Sequence, residues 1–180
     1  MYFTYEIEEW VGVSPDKAFS DNLDKVVLDQ LRTSKEGIID PELGLILAVL
    51  EAKVVGDGII LPLGGDPDIY FPVRYKILSF RPLQHEIVRA IVSRVESYGA
   101  QLRLGPIEGK VHKNDVMDEN AELTPDGQGF RGVRTKREIR VNDIVRARIN
   151  TVASGQPMLV ALSMRHPYLG KEEWIRKQRK

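Results

Sequence analysis

Five short runs of alternating apolar and polar residues, with glycine at the corners, constrain this 180-residue chain more than any other feature. In the first, Val88, Ala90 and Val92 share one face, and Val95 falls one residue out of phase, which marks a bulge. Tyr98-Gly99 bends the chain into Ala100, Leu102 and Leu104, with Gln101 and Arg103 on the other side, and Gly105-Pro106 turns it again. Ile107, Gly109 and Val111 then alternate with Glu108, Lys110 and His112. After a polar stretch from Asn114 to Arg140 and a turn at Asn142-Asp143, Val145, Ala147 and Ile149 face in against Arg146 and Arg148. Beyond Ser154-Gly155, Val160, Leu162 and Met164 face in against Ala161, Ser163 and Arg165. A period of two over so few residues means half-buried strands.

Five short strands with one long insertion between the third and fourth fit a small Greek-key OB β-barrel. The insertion, 114–140, reads as irregular. The tail after Pro167-Tyr168-Leu169-Gly170 reads as a short basic helix over Lys171–Lys180, with Trp174 and Ile175 on one side.

The first 80 residues have another rhythm. Phe3, Tyr5 and Ile7 alternate with Thr4, Glu6 and Glu8 as a strand. Ser14-Pro15-Asp16 is a helix start, with Ser as N-cap and Pro at the first helical position. Phe19, Leu23, Val26, Val27 and Leu31 then recur at helical spacing up to Lys35-Glu36-Gly37. Leu45–Val55 reads as a strand that turns at Gly56-Asp57-Gly58 and pairs with Ile59–Leu63 as a hairpin. Ile69–Phe80 is another strand, and Pro72 suggests an edge or a bulge. The fold class is therefore α+β: a small strand–helix–multistrand unit over 1–80, then a five-stranded barrel over 81–180, with a seam at Arg81-Pro82.

Composition removes several classes of chemistry. With no cysteine, disulfides, thiolate metal sites and cysteine nucleophiles are excluded. The longest apolar runs, such as Leu45–Leu50, are far too short to cross a bilayer, and the acidic opening MYFTYEIEEW lacks a signal pattern. A cytoplasmic protein without membrane association is expected. There is no G-x-G-x-x-G, Walker loop or G-x-S-x-G elbow. His85, His112 and His166 are scattered, and Asp115, Asp118 and Glu119 read as solvated charge. No catalytic residue, metal site or cofactor is expected.

The zero net charge hides a split. Residues 1–80 carry 7 basic and 14 acidic residues, and residues 81–180 carry 19 and 12. The basic half is a candidate polyanion binder, or a merely dipolar surface. Arg103, Lys110, His112, Arg146, Arg148 and Arg165 fall on outward strand positions, with Tyr98 at the end of the first strand. OB barrels bind single-stranded nucleic acid with a basic groove and stacking aromatics, so these seven are the candidate RNA-binding residues. The barrel's exterior has several sides, so they need not share one groove.

At this point two stretches become recognisable. Tyr98 to His112, with its Gly105-Pro106-Ile107-Glu108-Gly109 turn, resembles S1-type RNA-binding domains. The tail from Ala161 through Ser163-Met164-Arg165-His166-Pro167-Tyr168-Leu169-Gly170 to Trp174-Ile175 resembles the E′ family of archaeal RNA polymerase stalk proteins, counterpart of the seventh subunit of eukaryotic RNA polymerase II. The Pro15–Phe19 helix start, the Glu36-Gly37 step and Gly44 extend the resemblance along the whole chain. It implies a non-catalytic stalk subunit of a DNA-directed RNA polymerase. Such a subunit forms a heterodimer with the smaller stalk protein of the enzyme, the F protein. It docks on core RNA polymerase by its first unit and meets single-stranded RNA with its barrel. The tip loop at Gly64, Gly65 and Asp66 becomes the candidate core-docking element. Gln101 stands where S1-type domains commonly carry an aromatic, and Lys110 where the family is usually apolar, so binding here is expected to lean on phosphates. The alternative is an S1-domain RNA-binding factor of translation or the exosome.

Overall fold

The computed structural model describes all residues except Asp21, 62–66, Ser154, Gln156 and 179–180, with the backbone alone at 177–178. Two compact units result, Met1–Arg81 and Pro82–Lys180.

The alternation at the start runs further than Glu8: β1 spans Tyr2–Val13, and its odd positions turn inward. A four-residue helix α1 (Pro15–Ala18) follows, then α2 (Leu23–Lys35). The single helix read from the sequence is thus two. Ser14 makes no side-chain cap to the backbone, whereas Asn22 restarts the helix by accepting from the Lys25 amide at 3.1 Å. Phe19 falls at the break and is 83% exposed instead of lying on the apolar face. Val27 and Leu31 of α2 are fully buried. They pack with Ile46, Val49, Val73, Tyr75 and Ile77 of the sheet.

That sheet comprises β1, β2 (Ile39–Asp40), β3 (Gly44–Val54), β4 (Ile59–Ile60) and β5 (Ile69–Phe80). Its order is β1-β5-β3-β2, with β4 added beside β5. Two expectations are corrected here. Ile59 and Ile60 pair with Tyr70 and Ile69 of β5, not back on β3. β5 is central, not an edge, and its register with β3 shifts near Ile46 and Val49, not at Pro72. Pro72 is tolerated because it lies just beyond the last β3 pair, Val54↔Val73, and supplies only its carbonyl, to the Val55 amide at 2.9 Å.

The second unit begins with β6 (Ile87–Glu96), β7 (Gly99–Arg103) and β8 (Glu108–His112). The insertion follows: a 3-10 turn at Lys113–Asp115, then β9 (Ala121–Leu123), β10 (Gly129–Gly132) and β11 (Glu138–Arg140). β12 (Ile144–Ala153), β13 (Leu159–Ser163), β14 (Gly170–Lys171) and α3 (Glu172–Gln178) complete it. Pairing runs β13-β8-β7-β6-β12, and β12 closes on β13, giving the closed five-stranded barrel. β6 shifts register between Val92 and Arg94, the bulge that Val95 signalled. Val88, Ala90, Val92, Leu102, Val111, Val145, Ala147, Ile149, Val160 and Leu162 fill the interior.

The insertion is not irregular. β9, β10 and β11 form their own antiparallel sheet, with Phe130 and Ile139 buried. Glu119 pins its far turn by accepting from the Arg134 amide at 2.7 Å and from the Thr135 amide and hydroxyl. The Thr135 hydroxyl, chiefly, holds the Glu119 carboxyl below the usual carboxylate range. Thr124, Asp126 and Gly129 close the near turn. Glu119 is therefore spent on loop architecture, and Asp115 accepts from the Met164 amide with its backbone carbonyl and from the Ser163 hydroxyl with its carboxylate.

Candidate nucleic-acid interface

β7 and β8 run antiparallel with Gly99↔His112, Gln101↔Lys110 and Arg103↔Glu108 as facing pairs. β13 lies parallel on the other side of β8, with Ala161 facing Lys110. Strand alternation sends all of these side chains outward while Ala100, Leu102 and Val111 go into the core. The close approach at the Gly99 pair explains why glycine stands there: a Cβ would collide with the Val111 carbonyl oxygen.

The result is a cleft of about 240 Å³ whose lining includes Glu96, Tyr98, Gln101, Lys110, His112 and Ala161. Tyr98 is 56% exposed, and its carbonyl accepts from the Lys113 amide at 2.9 Å, which fixes the start of β7 against the end of β8. His112 Nδ1 accepts from the Asn114 amide at 3.3 Å, leaving Nε2 to face outward partners. Small Ala161 keeps the floor open. Among the described residues, Lys110 has no ion-pair partner, so its charge remains available.

The seven residues named from the sequence do not share one surface. Tyr98, Lys110 and His112 come together in this cleft. Arg103 follows two residues after Gln101 on the same face and lines a neighbouring cleft of about 360 Å³, with Arg89, Ile91 and Ile144. Arg146 and Arg148 are on β12, half-buried, with Arg146 opposite Arg89 and Arg148 reaching His85 Nδ1 at 3.0 Å. Arg165 follows β13 and lines a third cleft beside the tail. Gly64, Gly65 and Asp66 lie outside the described residues. Gln101 and Ala161 also line the β7–β8 cleft, and their phase with Arg103 and Arg165 in the alternation is the sequence signal for it.

Other basic residues of this unit are committed internally. Arg89 meets Glu172 at 2.7 Å, Arg140 meets Glu138 at 3.0 Å, and Lys171 meets Asp143 at 2.9 Å. Arg131 and then Arg140 hold the Glu138 carboxyl below the usual range. In the first unit, a broader groove of about 690 Å³ is walled by charges that neutralise one another, with Arg74 on Glu6 and Glu8 and Lys76 on Glu51. Among the described residues no cluster of His, Asp and Glu could hold a metal ion, and no helix is long and apolar enough to cross a membrane.

The first unit matches the family model of the SHS2 domain found in the N terminus of Rpb7p/Rpc25p/MJ0397, over residues 10–67. Residues 81–156 match the S1 RNA binding domain. DNA-directed RNA polymerase subunit Rpo7 of Saccharolobus solfataricus is 34% identical over all of both chains. The Sulfolobus acidocaldarius protein of the same name is 31% identical over 91% of this chain and 90% of its own. DNA-directed RNA polymerase II subunit 7 of Arabidopsis thaliana is 29% identical over 66% of each. An N-terminal module, a barrel and a tail that all align with one set of proteins from end to end place the chain in the family of DNA-directed RNA polymerase subunit Rpo7.

Proposed function

We propose that the chain is the non-catalytic stalk subunit of a DNA-directed RNA polymerase and holds single-stranded RNA on the β7–β8 face of its barrel. Family membership supports the first part. It also disfavours a translation or exosome factor, because the first unit matches a polymerase-subunit module and the full-length relatives are polymerase subunits. One observation carries the second part. Tyr98, Lys110 and His112 converge on one cleft inside the S1 match, and Lys110 is not neutralised by any described carboxylate, whereas Arg89, Arg140 and Lys171 are.

An unpaired cation at an open strand position displaces counterions from a phosphate, and an exposed ring beside it offers a base a stacking surface. Arg103 extends this face toward the β6 side. Arg146 and Arg148 add to the positive field from β12. Docking on core polymerase through Gly64, Gly65 and Asp66, and pairing with the smaller stalk protein, complete the reading and rest on the family resemblance.

Two measurements test it. In a titration of the full chain with fluorescent single-stranded oligouridine, Lys110→Glu loses about ten-fold in affinity, the equivalent of one phosphate contact. Tyr98→Ala loses a comparable amount. If both variants bind as the wild type does, the β7–β8 face is not the RNA site. A tagged chain co-purifies with the large polymerase subunits, and Gly64→Trp with Gly65→Trp reduces that recovery without altering RNA affinity. Full recovery with the double variant moves the dock elsewhere.

A further inference from the structure

The third cleft, of about 200 Å³, is built by the tail and the insertion, and most of its lining lies beyond the S1 match. Arg165, His166, Tyr168 and Trp174 come from the tail, and Asp118 and Arg137 from the insertion. Buried Met117 and Met164 form its floor. Among these side chains one carboxylate stands against two arginines and a histidine.

The two aromatic rings have different tasks. Trp174 is half-buried and already has a partner. The Arg137 guanidinium lies 5.6 Å from its ring centre, and Gly170 packs so closely that a Cβ there would be 3.2 Å from the ring. Trp174 is a wall, and it displays the Arg137 charge at the cleft's rim. Tyr168 is the opposite case. The residue is 60% exposed, yet its backbone is held in the left-handed region at φ 63°, which costs a non-glycine residue free energy.

The surroundings enforce that conformation. Leu169 donates to the His166 carbonyl at 3.2 Å, and Gly170 pairs with Arg146 in β14–β12. Lys171 is tied to Asp143, and Ile175 is buried. A strained turn clamped on both sides thus presents an uncovered ring beside Arg165 and His166.

This cleft adjoins the β7–β8 face. The chain leaves His112, makes the 3-10 turn Lys113–Asp115 and reaches Met117 and Asp118. Asp115 accepts from Met164 at 2.7 Å, stitching that turn to the end of β13. Ala161 lines the β7–β8 cleft and Arg165 the tail cleft, and four residues of extended chain span at most roughly 14 Å. We propose that the tail cleft is a second single-stranded RNA subsite. Tyr168 stacks a base, Arg165 and His166 hold the neighbouring phosphates, and one strand runs across Lys113 from the β7–β8 face. The shared-strand part rests on the RNA-binding reading above, and the tail subsite itself can stand without it.

The test is affinity of the full chain for fluorescein-labelled oligouridine of about 5 and about 12 nucleotides, lengths within the range an OB barrel covers. Wild-type affinity rises between the two lengths. Tyr168→Gly and Arg165→Gln each lower affinity for the longer oligomer about five- to ten-fold. Tyr168→Gly also holds or raises Tm, because glycine accepts the left-handed backbone, so its loss of binding is not a loss of fold. Wild-type affinity for the longer oligomer in both tail variants, with Lys110→Glu still weakened, overturns the second subsite and leaves the first. Weakening in the tail variants with Lys110→Glu unchanged removes the β7–β8 face and keeps the tail subsite. No effect in any variant removes both.

Discussion

Single backbone atoms decide how the candidate interface is shaped. Gly99 sits opposite His112, where a methyl group would strike the Val111 carbonyl. Relief requires β7 and β8 to part at the point where Tyr98 and His112 are positioned. Gly99→Ala therefore destabilises the chain by about 1–3 kcal/mol, a fall in Tm of roughly 4–8 °C for each kcal/mol in a unit of this size, and weakens RNA binding along with it. Unchanged melting and binding would show that the strand pair gives way freely. Glu119 works differently. It accepts hydrogen bonds from the Arg134 amide and from the Thr135 amide and hydroxyl, and its carboxyl titrates below the ordinary range. A depressed folded-state value means that its contribution is complete above the unfolded carboxylate range and disappears as pH falls through the folded value. The Tm difference between wild type and Glu119→Gln is thus steady near neutrality and closes in acid. A difference independent of pH would mean that the ionised carboxylate does not hold the turn. Glu119 was legible from its sequence only as solvated charge, because its partners lie some 15 residues further along the chain.

Elements were legible in proportion to their length and period. The barrel strands announced themselves because each inward residue is followed by an outward one, down to the bulge beside Val95. The spacing suggests one helix because Phe19 completes it across a break that only Asn22, capping Lys25, reveals. The Gly-Asp-Gly turn suggests a hairpin of β4 on β3 locally, while β5 is the partner in the structure from further away in sequence. Three- and four-residue strands in the insertion are too short for a period of two to show, although Thr124-Pro125-Asp126-Gly127 marked one of the turns. The insertion nevertheless has its own packed centre in Phe130 and Ile139. Phe130→Ala costs about 3–5 kcal/mol, visible as a lower denaturation midpoint. An unaltered midpoint would mean that the insertion folds as an appendage whose loss the barrel does not feel. Of the candidate site, the outward phase of Arg103, Lys110 and His112 could be read directly. The separation of Arg146, Arg148 and Arg165 from that cleft could not, because it depends on the order of strands around the closed barrel.

At the scale of the molecule, charge and architecture agree. The basic excess belongs to the residues that form the barrel, and the acidic excess to the sheet-and-helix unit before it. Internal ion pairs engage part of the barrel's positive charge, and Lys110 and Arg103 are among the basic residues that have no carboxylate partner among the described residues. On the RNA-binding reading proposed above, with Gln101 at an outward position of β7 beside Lys110, phosphate contacts are expected to carry more of the binding than bases do, with weak sequence preference. The most direct test is the salt dependence of single-stranded RNA affinity in the full chain. Three to five phosphate contacts give a log–log slope of roughly −2 to −3.5. The Arg103→Glu, Lys110→Glu double variant removes two, weakens binding and flattens the slope by about 1.4. A wild-type affinity that ignores salt, or a double variant whose slope matches the wild type, would contradict the β7–β8 face as the place where this protein holds RNA.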